Sequence, residues 1–134
     1  MKTPLLLSVL LLLFSSTLSF AQNQMSVVGT WKFVSGKSTR GDSTTSYDDK
    51  TVDQIKIVTH TYFAVFSKDF ANAAAGTVQI DDKNYIEEIK YCTLKDWVGK
   101  NVKFTYRIDG DKWYVKGGIE NTVTFDEVWQ RVSK

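Results

Sequence analysis

From Lys100 to Asp109 the chain places Val102, Phe104, Tyr106 and Ile108 alternately with Lys103, Thr105 and Arg107. A period of two, built from β-branched and aromatic residues, is the pattern of a strand with one buried face. It does not fit a helix, whose apolar stripe recurs every three to four residues. The alternation recurs along most of the chain. Strands are expected at Val28–Ser35, Gln54–Thr59, Thr61–Ser67, Gly76–Asp81, Asn84–Cys92, Asp111–Lys116 and Thr122–Val132. In Asn84–Cys92 the pattern sets Tyr85, Glu87, Ile89 and Tyr91 on one face and Ile86, Glu88 and Lys90 on the other.

The connectors point to antiparallel neighbours. Asp81-Asp82-Lys83 and Asp109-Gly110-Asp111 read as tight hairpin turns, and Asp48-Asp49 and Gly117-Gly118 as further breaks. Three stretches resist the strand pattern: polar Ser38–Asp53 reads as a long loop or lid, and Asp69–Ala75 and Thr93–Val98 as single helical turns. About eight strands in one small chain would leave two unpaired edges in an open sheet, and closure removes them. The fold class is therefore all-β, an antiparallel up-and-down eight-stranded β-barrel, whose interior is filled by side chains or holds one small ligand.

The N-terminus has a different character. Lys2, an apolar run from Leu5 to Leu13 interrupted at Ser8, and Ser19-Phe20-Ala21 form the pattern of a secretory signal cleaved after Ala21. The run is too short for a spanning helix, which needs roughly 20 apolar residues. Residues 1–21 are thus read as a signal peptide and 22–134 as one domain, secreted or periplasmic, monomeric, with no membrane span after cleavage. Cleavage would remove Lys2 and lower the formal charge from +2 to +1. Charges of both signs are interspersed, so nothing points to nucleic acid. Cys92 is the single cysteine and cannot form an internal disulfide, so the core must hold the fold. Cys92 and His60 alone make no metal site.

A family resemblance rests on several of these residues. Gly29-Thr30-Trp31 resembles the Gly-x-Trp signature of the lipocalin and calycin barrels. Arg131, in Trp129-Gln130-Arg131, resembles the arginine that packs across that tryptophan at the closed end. Tyr85, Glu87, Ile89 and Tyr91, then Gly99-Lys100, Gly110-Asp111-Lys112-Trp113 and Glu127-x-Trp129-x-Arg131, are similar to small bacterial secreted lipocalin-like domains of unassigned function. The resemblance spans Val28 to Val132, without the disulfide or long C-terminal helix of secreted lipocalins. It implies a lipocalin-like barrel. A guanidinium on an indole face also has a physical rationale, since the contact would tie the first strand to the last.

With apolar faces inward, the interior receives Phe63 or Tyr62, Tyr85, Ile89, Val102, Phe104, Tyr106, Trp113, Phe125 and Trp129. The same parity sends Glu87 and Glu127 inward. A carboxylate on an apolar face is costly unless paired or protonated, which makes these two the most informative residues. One reading has Glu87 and Glu127, with Tyr85, Tyr106, Trp113, Trp129, Phe63 and Phe104, lining a ligand pocket. The other has the carboxylates bonded to tyrosines, Arg107 or Arg131 in a structural network. Trp31 and Arg131 are read as structural.

No nucleophile elbow, Ser-His-Asp set or phosphate-binding glycine loop is present in the sequence, and no cofactor is implied. His60 reads as a turn residue, and Arg40-Gly41-Asp42 as a loop tripeptide. Two functions follow: a non-enzymatic carrier of a small hydrophobic or amphipathic molecule, or a filled barrel that presents its loops to an exported protein partner. A sizeable cavity would favour the first.

Overall fold

The structure, a computed structural model, describes residues 26–133. The expected signal segment and its cleavage site lie outside them. Nine strands follow in order: β1 Gly29–Arg40, β2 Ser43–Asp48, β3 Gln54–Val58, β4 Tyr62–Ser67, β5 Ala73–Ile80, β6 Asn84–Cys92, β7 Asn101–Asp109, β8 Lys112–Ile119 and β9 Val123–Ser133. From β3 to β9 each strand pairs antiparallel with the next, and β9 returns to β1, closing an eight-stranded up-and-down barrel. No helix among the described residues is long and apolar enough to cross a membrane.

The ninth strand is β2. One edge of β1 is divided: Gly29–Lys32 pairs with β3, and Ser35–Arg40 pairs with β2. The segment expected as a loop from Ser38 to Asp53 is therefore mostly a hairpin that turns at Gly41-Asp42 and rises from the barrel wall. Its Ser and Thr residues favour no apolar face because most of the hairpin is exposed, so alternation is missing although the backbone is extended. Two further expectations change. Gly117 and Gly118 lie inside β8, where a Cβ on either would press into the Lys103 or Val123 backbone. Residues 68–72 form a turn in place of the expected helical turn, with Ser67 Oγ donating to Asp69 Oδ1 at 2.6 Å, and β5 begins at Ala73. Lys95–Trp97 forms one 3₁₀ turn, within the expected helical stretch.

The two ends of the barrel differ. At one end Trp31, Tyr85 and Trp113 are fully buried, with Trp113 5.1 Å from Trp31 and edge-on to Tyr85 at 5.0 Å between ring centroids. Val27 lies under them and accepts a hydrogen bond from Trp31 Nε1 at 2.8 Å. Arg131 stacks over Trp31 with its guanidinium carbon 4.1 Å from the ring centre, and it donates to the carbonyls of Val28 (3.1 Å) and Ser26 (2.6 Å). Such a cation–π contact contributes on the order of 1–2 kcal/mol when partly desolvated. Here it joins the first strand to the last where the barrel closes. The opposite end is not filled.

Candidate functional site

The unfilled end is a cavity of about 420 Å³. Its shape follows from side-chain size. On one wall the inward row Val65, Ala74 and Cys92 is small, continuing at Lys56 on β3. The facing wall is aromatic: Trp97 meets Phe125 edge-on at 6.1 Å, and Phe125 lies 6.4 Å from Phe104. Small residues opposite large ones leave space that neither wall fills. Arg40, at the tip of β1, reaches over the Trp97 ring at 5.6 Å on the rim.

The floor carries the charges. Lys56 Nζ donates to Glu87 Oε1 at 2.6 Å, and their side chains are only 5% and 6% exposed. Around the ammonium stand Phe63, Tyr85, Phe104, Trp113 and Trp129, with centroids 5.1 to 6.0 Å away. An ammonium taken from water is compensated here by one carboxylate and a ring of π faces. Burial first, then the Glu87 charge, pushes the Tyr85 phenol well above its usual range, so it stays protonated.

Glu127 occupies the other side of the floor. Its Oε1 accepts from Tyr47 Oη at 3.0 Å and its Oε2 from Trp129 Nε1 at 3.1 Å. Gly36 lets these groups converge: a Cβ there would come within 2.9 Å of Glu127 Cγ and 3.2 Å of the Tyr47 ring. Burial raises the Glu127 carboxyl above its ordinary value, against the opposing influence of the Lys56 charge and the two hydrogen bonds. Tyr47 is raised as well, by burial and then by Glu127.

The residues singled out from sequence fall into three places. Glu87, Phe104, Glu127 and Trp129 line the cavity. Phe63, Tyr85 and Trp113 lie beneath it as walls of the cage around Lys56, buried to within a few per cent. Tyr106 sits toward the filled end and donates to the Asp81 carbonyl at 2.7 Å. Neither arginine considered as a partner for the carboxylates reaches them: Arg107 is exposed over Tyr114, and Arg131 serves Trp31.

Lys56 is the residue that sequence parity misses. In Gln-Ile-Lys-Ile-Val the two isoleucines suggest the buried face, yet Ile57 is 41% exposed and Lys56 and Val58 point inward. The only signal in the sequence is indirect: an inward Glu87 is costly unless it is paired or protonated. Tyr91 also departs from parity. Opposite Ala75 and Gly76, β6 carries one extra residue, Lys90, and this bulge shifts the register, leaving Tyr91 75% exposed and turning Cys92 inward. Gly76 permits the bulge, since a Cβ there would overlap the Glu88 carbonyl oxygen at 1.9 Å. His60 is exposed in the β3–β4 turn at the filled end, and no group of three or more potential metal ligands occurs among the described residues.

No protein-family model matches the chain, and no curated protein matches it. Among solved structures the chain is similar to a redesigned β-barrel, with 14% identity and a TM-score of 0.47 over 78% of this chain and 90% of that one.

Proposed function

We propose that this protein is a non-enzymatic, exported lipocalin-like barrel that carries a small apolar or amphipathic molecule in the cavity at its open end. One observation carries this reading: about 420 Å³ of space bounded largely by aromatic and small apolar side chains, with Lys56, Glu87 and Glu127 on its floor and Arg40 on its rim. Ligand pockets run from roughly 300 to 1,000 Å³ and combine apolar walls with a few fixed polar groups. The plugged end supports the same reading, because Trp31, Trp113 and Arg131 hold the barrel rigid without occupying the cavity. The Trp31–Arg131 contact supports the lipocalin-like assignment, and the signal-like segment ahead of Gln22 supports export.

Native mass spectrometry of the protein purified from its own host tests the proposal. The expected result is a reproducible added mass of small-molecule size that is lost on denaturation. A bare mass that stays unchanged after incubation with mixed lipids would overturn the carrier reading in favour of a protein-binding module.

A further inference from the structure

The cavity floor holds two carboxylates against one ammonium. Lys56 is committed to Glu87 at 2.6 Å, whereas Glu127 is satisfied only by neutral donors, the Tyr47 hydroxyl and the Trp129 indole. Glu127 makes no ion pair among the described residues, and it lines the cavity. The charged and titratable groups around it come from four strands: Tyr47 on β2, Lys56 on β3, Glu87 on β6, and Arg40 at the rim on β1. Arg40 is exposed, so solvent and salt screen it more than the buried pair. The ionised floor therefore lacks one positive charge.

We infer, building on the carrier reading, that the ligand is a monocationic amphiphile, an alkyl or aryl ammonium, whose cation sits against Glu127 while its apolar body lies along Trp97, Phe125 and Phe104. A ligand cation there would complete the charge balance of the floor. An alkyl carboxylate would bring a third negative charge to a floor with one ammonium, already paired. A neutral alcohol would gain the apolar walls alone. Selectivity among these three head groups thus follows from Glu127.

Protonation adds a direction. Burial raises the Glu127 carboxyl, so its ionised form, the one that attracts a cation, accumulates only as pH rises past the ordinary carboxylate range. Cation affinity should therefore increase with pH through that interval and then level off. Affinity for a neutral amphiphile should stay nearly flat.

The test is titration of the purified protein with octyltrimethylammonium and octanoate below their micelle concentrations and octanol below its solubility limit, followed by tryptophan fluorescence over a pH series. Octanoate is compared above the ordinary carboxylate range, where it is ionised. The expected result is cation binding about tenfold or more tighter than octanoate, a factor worth about 1.4 kcal/mol. Affinity for the cation rises with pH, and for octanol it does not. In Glu127→Gln, which keeps the side-chain shape, the cation should lose about that factor and its pH dependence, with octanol unchanged. Octanoate binding as tightly as the cation would overturn the charge assignment and leave the carrier reading intact. Equal weakening of all three probes in Glu127→Gln would also overturn it, since Glu127 would then only shape the cavity. If none of the three bound, the carrier reading would fail along with it. Should the variant not fold, the wild-type comparison of head groups and pH still decides.

Discussion

Lys56→Met should cost the protein about 3–5 kcal/mol of stability, and adding Glu87→Leu to that variant should restore most of the loss. The pair is buried on both sides, so removing the ammonium leaves Glu87 as an uncompensated charge inside a ring of aromatic groups. Removing both ends replaces two desolvated ions with side chains of similar volume, which is often neutral or stabilising. The loss in the single variant is a large part of the roughly 5–15 kcal/mol that holds an ordinary domain together. Urea unfolding of the two single variants and the double variant measures it. Two single losses that simply add in the double variant would show that the ions are not energetically coupled.

Trp113→Ala should be comparably severe, about 3–5 kcal/mol, because a fully buried indole is replaced by a cavity. Trp113 packs against both Trp31 and Tyr85, so its loss loosens the plug on which barrel closure rests. Trp97→Ala provides the contrast. Trp97 is half-buried at the rim, so its removal should cost less than half as much stability while weakening ligand binding. Thermal unfolding and a binding titration on both variants separate the two ends. Equal stability losses would contradict the division of the barrel into a structural end and a binding end.

These two variants also mark what the sequence made legible. Alternation placed Glu87, Glu127, Phe104, Trp113 and Trp129 inside, where they lie, because the successive pairings β6–β7, β7–β8 and β8–β9 run without a register shift. It failed where a rule of period two has no access to the cause. Lys56 faces inward and pairs with a carboxylate three strands away, a non-local contact that the local pattern of Ile55 and Ile57 does not reveal. Tyr91 faces outward because its own strand carries an extra residue, Lys90, which consumes one residue of register. The β1–β2 hairpin escaped notice because it is mostly exposed on both faces and so carries no hydrophobic pattern, although its Tyr47 anchors Glu127. The aromatic residues were found, but their arrangement was not. Three of those expected to face a ligand instead enclose the protein's own ammonium.

The four tryptophans divide evenly between the two ends, which makes their indole N–H resonances the most direct test of where a ligand goes. Trp97 and Trp129 line the cavity, and Trp31 and Trp113 belong to the plug. The measurement is a nitrogen–proton correlation spectrum of labelled protein, titrated first with octanol and then with octyltrimethylammonium. Progressive shifts of the Trp97 and Trp129 signals are expected, with those of Trp31 and Trp113 nearly still. Shifts confined to Trp31 and Trp113, or four unmoved signals with both compounds, would contradict a ligand site at the open end of the barrel.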